Sequence, residues 1–258
     1  MTDHLHTALA GIRSLAAYIS VSLYVLLLAP PGIVLAVIFK WPEILYWLAR
    51  GGVRLGLATV GITFHVTGLE HVQRHRAAVY CVNHASNIEP PILFMVLKAL
   101  HPKLVVLYKA ELRKALPVLK RAWDVVGFVP IERGSRARSM QAIETAAAAL
   151  RGGKSFLIFP EGTRTTPGIE PSLQRGAAQI ATRTQTDLRV IHITVSPTFL
   201  TKEKKWYQVP VKKPFFHVAV KGKIEVAPFI ESSNNLTSAA RRLNHHLAQT
   251  IFPSEENI

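Results

Sequence analysis

The uncharged run from Leu15 to Phe39 constrains this chain more than any other feature of its sequence. It is long enough for one helix to cross the hydrocarbon core of a bilayer. The segment Pro30–Gly32 lies in its middle, and proline removes a backbone donor and disfavours a helical conformation in the residue before it. We therefore expect two apolar helices, about Leu9–Ala29 and Ile33–Leu48, forming a hairpin that enters or lies along a membrane.

Basic residues flank the apolar run unevenly. Arg13 precedes the run, whereas Lys40 and two arginines follow it. If the run crosses a membrane once, this bias places the rest of the chain on the cytoplasmic side. We therefore expect residues 1–58 to form a membrane-associated helical segment and residues 59–258 to form the main domain.

The composition indicates an anionic partner. The formal net charge is +15, hydrophobic residues make up 49% of the chain, and the mean hydropathy is +0.21. A basic chain suits nucleic acid, an anionic membrane surface or phosphorylated substrates. The apolar excess favours the membrane, and no stacking or groove-reading motif supports nucleic acid. The one cysteine, Cys81, excludes an intramolecular disulfide, and without a Cys/His cluster we expect no metal site.

Strand-like and helix-like segments alternate along the rest of the chain. Strands are expected near Ile62–Thr67, Ala77–Val82, Leu104–Tyr108, Val125–Ile131, Ser155–Phe159, Arg189–Val195, Phe216–Val220 and Lys223–Val226. Helices are expected near Pro91–Leu100, Arg113–Trp123, Arg138–Leu150, Leu173–Thr182 and Leu236–Ile251. This alternation predicts an α/β fold with a largely parallel sheet flanked by helices, preceded by the apolar hairpin.

The stretch Asn83–Glu89 places polar residues between a buried strand and the start of a helix, where α/β proteins locate their chemistry. His84 and Glu89 suggest a general base and the carboxylate that orients it. The alternative is a capped loop with a solvent-facing histidine.

Cations follow three other predicted strands. Arg133 comes after the apolar strand that ends near Ile131, and Arg164 comes after Ser155–Phe159 in a tight polar turn. Lys109 ends a third strand. A strand-end arginine can make a two-pronged contact with a phosphate, whereas the alternative is an exposed basic turn.

Together these stretches resemble the sequence blocks of the glycerolipid acyltransferase family. Asn83–Glu89 resembles the first block, a histidine and an acid separated by four residues, although the family's usual acid is aspartate. Gly127–Arg133 matches the second block, Gly-x5-Arg, and Phe159–Arg164 matches the third, Phe-Pro-Glu-Gly-Thr-Arg, in full. Tyr108–Leu112 resembles the Lys-x-Glu-Leu segment between the first two blocks. The resemblance covers about Val60–Val226.

The resemblance implies that residues 59–258 are a catalytic domain. It would move a fatty acyl group from a thioester, acyl-CoA or acyl carrier protein, to the sn-2 hydroxyl of 1-acylglycerol 3-phosphate, giving phosphatidic acid without a cofactor. His84 would be the general base, and Glu89 would fix its tautomer. Arg133, Arg164 and Lys109 would hold the phosphate of the lysophosphatidic acid-like acceptor. Residues expected to shape the site are Asn83, Ser86, Gly127, Pro160, Glu161, Gly162 and Thr163, with Glu161 orienting an arginine.

Two alternatives stay open at this point. The acceptor could be glycerol 3-phosphate, a lysophospholipid or an amino-acid lyso-lipid, or the chain could be a non-catalytic basic protein that binds lipid. The basic and aromatic stretch Lys202–Phe216 suits either a membrane interface or the phosphates of a CoA donor.

Overall fold

The computed structural model of the chain describes residues 2–72, 76–98, 103–132, 136–165, 171–203, 208 and 210–252. Its strands are β1 Thr63–Thr67, β2 Val79–Val82, β3 Leu104–Lys109, β4 Val129–Ile131, β5 Ser155–Ile158, β6 Leu188–Ser196 and β7 Phe215–Ile224. Its helices are α1 Thr2–Ile38, α2 Glu43–Val60, α3 Glu89–Lys98, α4 Leu112–Ala115, α5 Pro117–Val126, α6 Arg136–Arg151, α7 Gly176–Thr184, α8 Ala227–Glu231 and α9 Leu236–Ile251.

The strands form one mixed sheet that is mostly parallel, in the order β1-β7-β6-β2-β5-β3-β4. The pair β6–β7 is antiparallel, and the other neighbouring pairs are parallel. The predicted α/β fold is therefore confirmed. The carboxyl ends of β2, β5, β3 and β4 meet at one edge of the sheet, where ligands bind in open α/β folds. The two segments expected as separate strands, Phe216–Val220 and Lys223–Val226, belong largely to one strand, β7.

Helices cover both faces of the sheet, and β2 is buried between the two layers. Val79 and Cys81 pack in the cluster that includes residues of α6, α7 and α9, whereas Tyr80 and Val82 pack in the cluster with residues of α2 and α3. These four side chains have no exposed surface. A strand buried on both faces requires a continuous apolar sequence, which is what residues 77–82 provide.

The N-terminal helices form the expected hairpin, but its turn is not at the prolines. α1 runs unbroken through Pro30 and Pro31, and the chain turns at Phe39–Pro42, where Lys40 has a φ of 49°. The predicted boundaries at residues 29 and 33 were therefore wrong. The φ of proline fits a helix, although each proline removes one hydrogen bond and its ring crowds the carbonyl four residues earlier. An apolar surrounding favours keeping the remaining bonds of the helix.

Glycines of the hairpin let its two helices approach closely. A Cβ on Gly51 would lie 2.2 Å from the Tyr24 hydroxyl, and one on Gly32 would lie 2.1 Å from Leu48. These pairings run in opposite directions along the two helices, as a hairpin requires.

The outer surface of α1 is apolar. Its exposed large side chains include Leu9, Ile12, Leu15, Tyr18, Ile19, Leu23, Leu26, Leu27, Val34, Leu35 and Ile38. Within the described residues, His6–Ile38 is the helical stretch long and apolar enough to cross a membrane. This exposed apolar surface supports membrane association.

The segment before β4 also differs from the prediction. Residues Val125–Ile131 were expected to be a strand, but α5 continues to Val126 and ends at Gly127, which has a φ of 77°. A left-handed residue after the last turn is a common helix end and is favoured by glycine. Only the last three residues of the predicted strand form β4. The predicted helix Arg113–Trp123 is divided between α4 and α5, because a residue that precedes a proline, as Leu116 does, is disfavoured in the helical conformation.

Candidate active site

The Asn83 side chain hydrogen-bonds the end of β2 to β6. Its side-chain amide Nδ2 donates to the Ile193 carbonyl at 2.8 Å, and the Ile193 N–H donates to Asn83 Oδ1 at 2.7 Å. Both residues are buried. The Asn83 side chain thus makes the pair of hydrogen bonds to β6 that the backbone of one more strand residue beyond Val82 would make. The chain leaves the sheet immediately afterwards, so His84 stands at the carboxyl edge.

His84 and Glu89 form a hydrogen-bonded pair. His84 Nδ1 lies 3.0 Å from Glu89 Oε2, and the Ala85 N–H donates to the same oxygen at 2.9 Å. Glu89 is the first residue of α3, so its side chain folds back over the loop that precedes the helix. With Glu89 ionised, its oxygens only accept, so Nδ1 carries the proton and Nε2 keeps its lone pair. The arrangement is that of a general base with its orienting carboxylate.

The pair is largely shielded from solvent. The Glu89 side chain has no exposed surface, whereas 16% of the His84 side chain is exposed. Burial raises the pKa of the Glu89 carboxyl, and the hydrogen bond from His84 acts in the opposite direction. The imidazole packs on Phe159, the residue after β5, with ring centroids 4.4 Å apart. The histidine is therefore held on one side and remains reachable at its edge.

The backbone of His84 is bonded to the turn that follows β5. Its N–H donates to Glu161 Oε1 at 2.6 Å. Its carbonyl accepts from the Thr165 N–H at 2.6 Å and lies 2.9 Å from the Thr165 hydroxyl. Sequence reasoning expected Glu161 to orient an arginine and did not single out Thr165. The signal that could have found Thr165 is its position at the end of the same dense polar turn.

The remaining polar residues near the pair shape the two loops. Ser86 is fully buried, and its carbonyl accepts from the Glu89 N–H at 3.3 Å. Pro160 accepts from the Gln174 N–H at 2.7 Å, and Gly162 adopts a φ of 69°. Thr163 is exposed on the same turn.

The structure brings Arg164 to the same loops. Its Nη1 donates to the carbonyls of Leu200 and Thr201 at 3.1 and 2.6 Å. The Asn87 N–H donates to the Leu200 carbonyl as well, at 3.2 Å. Arg164 therefore ties the segment after β6 to the loop that carries His84.

Of the other expected site residues, Lys109 lies at the carboxyl edge and Gly127 does not. Lys109 ends β3 opposite Ile131 of β4, is about half exposed, and lies 3.7 Å from Glu111. Gly127 ends α5 on the opposite side of β4, before the strand begins. Arg133 lies outside the described residues, as does the Lys204–Tyr207 part of the basic stretch.

A basic cleft of about 520 Å³ opens beside the carboxyl ends of β3 and β4. Its charged described lining residues are Arg113, Lys114, Lys120, Arg138 and Glu132. Arg138 pairs with Glu132, and Arg113 pairs with Asp124. The cleft begins at Ala110, which is next to Lys109 in the chain. After the two ion pairs are counted, the lining of the cleft keeps a net positive charge. Within the described ranges, no group of three His, Cys, Asp or Glu side chains is placed to hold a metal ion.

The mostly parallel sheet flanked by helices is the fold that the sequence resemblance implied. The family model described as Acyltransferase matches residues 63–232, and the chain belongs to that family. It is similar to the 1-acyl-sn-glycerol-3-phosphate acyltransferase of Borreliella burgdorferi, with 25% identity over 201 residues that cover 75% of each chain.

A protein of the same name from Limnanthes alba is 26% identical over 185 residues, which cover 69% of this chain and 62% of the plant protein. The chain thus spans less than two thirds of the plant relative. The crystal structure of the 1-acyl-sn-glycerophosphate acyltransferase from Thermotoga maritima matches over 93% of both chains, with a TM-score of 0.68 and 18% identity. That likeness supports the α/β fold with its N-terminal helices.

Proposed function

We propose that this acyltransferase moves a fatty acyl group from acyl-CoA or acyl carrier protein to the sn-2 hydroxyl of 1-acylglycerol 3-phosphate. The observation that carries the proposal is the buried Glu89 carboxylate on Nδ1 of a reachable His84, 3.0 Å away. The names of the Borreliella burgdorferi and Limnanthes alba relatives support this acceptor. The product is phosphatidic acid.

His84 acts as the general base in the proposed reaction. Its Nε2 takes the proton of the acceptor hydroxyl while that oxygen attacks the thioester carbonyl. The C–S bond breaks, the thiolate leaves, and it receives the proton from the imidazolium. Glu89 stabilises the imidazolium through its bond with Nδ1. The substrate alcohol is the nucleophile, and Ser86 is fully buried, so no acyl-enzyme is needed.

The acceptor phosphate binds at the basic carboxyl ends of β3 and β4. Lys109, at the end of β3, supplies one cation, and the lining of the adjacent cleft keeps the region positive. Arg133, two residues after β4 in the sequence, supplies a second. Arg164 uses Nη1 for two carbonyls, and a guanidinium has three further N–H donors that suit a two-pronged phosphate contact.

The membrane supplies the acceptor in this proposal. Helix α1 presents its exposed apolar surface to lipid, and residues 1–58 anchor the catalytic domain, residues 59–258, on the cytoplasmic side. A lipid acceptor held at the interface reaches the site without crossing water.

A panel of acceptors tests the proposal. Purified protein is given 1-acylglycerol 3-phosphate, glycerol 3-phosphate, lysophospholipids and amino-acid lyso-lipids, each with acyl-CoA and with acyl carrier protein, and products are identified by mass spectrometry. We expect phosphatidic acid from 1-acylglycerol 3-phosphate at the highest kcat/KM. Preference for another acceptor would refute the substrate, and binding of lipid without turnover would favour a non-catalytic lipid-binding protein.

Two histidine variants test the base. His84→Ala should lower kcat by about 10²- to 10⁴-fold, the typical contribution of general-base catalysis, without loss of fold. His245→Ala, at an exposed histidine of α9, is the matched control. Near-normal turnover in His84→Ala would exclude His84 as the base.

A further inference from the structure

We infer that Glu161 and Thr165 are positioning residues that hold the backbone of His84 from both sides and thereby aim its imidazole. The inference rests on the proposed role of His84 as the base. It assigns to the turn after β5 a task in catalysis that is separate from binding the acceptor phosphate.

Glu161 and Thr165 form a clamp through the hydrogen bonds that they make to both polar backbone groups of His84. The N–H donates to Glu161 at 2.6 Å, and the carbonyl accepts from the Thr165 N–H at 2.6 Å. His84 lies past the last paired residue of β2, so the ladder of the sheet does not satisfy these groups. Backbone groups that are removed from water require partners, and here the partners come from a turn 77 residues further along the chain.

The backbone clamp and the Glu89 bond constrain different parts of His84. The backbone bonds fix the direction of the Cα–Cβ bond, while Glu89 and the Phe159 ring fix the orientation of the imidazole. Both constraints are needed to place Nε2 against a substrate hydroxyl. Small displacements matter because a misplacement of about 1 Å can cost a factor of about 10² in rate.

The hydroxyl hydrogen of Thr165 links the two clamp residues. The Thr165 hydroxyl lies 2.9 Å from the His84 carbonyl and 2.5 Å from Glu161 Oε2, but it has one hydrogen. The hydroxyl donates to Oε2, the shorter contact, while Oε1 accepts from the His84 N–H and the carbonyl accepts from the Thr165 N–H. Glu161 and Thr165 thus close a ring of hydrogen bonds around the backbone of His84.

The side chain of Glu161 is buried. Burial raises the pKa of its carboxyl, while the hydrogen bonds from the Thr165 hydroxyl and the His84 N–H act in the opposite direction.

Glutamine is close in size and shape to glutamate and can keep both contacts of the clamp without the negative charge, so Glu161→Gln is the decisive variant. Its carbonyl can accept from the His84 N–H, and its NH₂ group can donate to Thr165. We expect kcat of Glu161→Gln within about threefold of wild type, but about 10²-fold lower kcat in Glu161→Ala. The acceptor KM should stay within about twofold in both. A Glu161→Gln variant as impaired as Glu161→Ala would show that the negative charge is needed and would overturn the clamp.

Thr165 offers an independent pair of variants. Thr165→Val keeps the shape but removes the hydroxyl and should lower kcat about tenfold, with unchanged acceptor KM, whereas Thr165→Ser should restore wild-type kcat. The matched control is Thr237→Val, at an exposed threonine of α9. Wild-type kcat in Thr165→Val would overturn the inference.

Hydrogen exchange separates this inference from the proposed function. Exchange of the His84 amide, followed by mass spectrometry with residue-level fragmentation, should accelerate at least tenfold in Glu161→Ala and remain slow in Glu161→Gln. If wild type transfers no acyl group to any acceptor, the proposed function fails, and the exchange rates still decide the clamp. Equal exchange in wild type and Glu161→Ala would overturn it.

Discussion

Replacing Glu89 by glutamine isolates the negative charge of the buried carboxylate. The two side chains have nearly the same size and shape, so packing around this fully buried position is preserved. Glu89 accepts from both the His84 ring and the Ala85 N–H. Glutamine has one accepting oxygen, which at the position of Oε2 can accept from both donors but carries no charge, so the charge-assisted bond to the imidazolium is lost.

The expected loss follows from the bond that Glu89 makes to the charged imidazolium. A hydrogen bond with a charged partner contributes about 1.5–3 kcal/mol. At about 1.36 kcal/mol for each factor of ten, losing it in the transition state lowers kcat roughly 10- to 150-fold. The unfolding temperature should change far less, because burial that raises the pKa of Glu89 also makes its ionised form costly in the folded state, and glutamine removes that cost.

The assay measures initial rates of thiol release from acyl-CoA at saturating acceptor, together with thermal unfolding of each variant. Glu89→Asp is the companion variant, because it keeps the charge but shortens the side chain by about 1.5 Å, which weakens the 3.0 Å contact with His84. We expect an intermediate kcat for it. A folded Glu89→Gln variant with kcat within threefold of wild type would refute the assignment of Glu89 as the orienting carboxylate.

Three further changes test the framework of the site. Asn83→Ala should lower the free energy of unfolding by about 2–4 kcal/mol, because the buried N–H and carbonyl of Ile193 lose their hydrogen bonds to the Asn83 side chain. Urea unfolding measures this change in free energy. Gly68→Ala should destabilise more than Gly153→Ala in the same experiment, because both glycines have positive φ but only a Cβ at the former meets a backbone oxygen, at 2.1 Å. His192→Gln should reduce the loss of stability below about pH 6.5, because burial lowers the pKa of His192 and the unfolded chain therefore takes up its proton first. Equal acid sensitivity in both proteins would contradict that reasoning.

Local sequence patterns were sufficient to predict most elements of the sheet and the pairing of His84 with Glu89. The apolar stretch before Asn83 could be read because a strand buried on both faces leaves a continuous hydrophobic run. The spacing of His84 and Glu89 could be read because both lie in one short loop and the first turn of α3, where sequence distance limits spatial distance.

Competing local preferences explain the errors. Proline disfavours a helix on average, but the segment around Pro30 is surrounded by apolar residues over a long helix, and the hydrogen bonds of the rest of α1 outweigh the two that are lost. The segment Val125–Ile131 reads as a strand by composition, but its first residues complete the last turn of α5 before Gly127 ends it. Short apolar runs do not distinguish a helix end from a strand.

The contacts between the His84 loop and the Glu161 turn depend on strand order, which local patterns do not contain. β3 and β4 lie between β2 and β5 in the chain, yet β2 and β5 are neighbours in the sheet and parallel. Residues that follow two neighbouring parallel strands must emerge side by side, so the turn after β5 can reach both backbone groups of His84. Glutamate at position 89 fits the same geometry. Its side chain starts from the first turn of α3 and bends back to Ala85 and the imidazole, and the longer side chain gives it the reach to bond both.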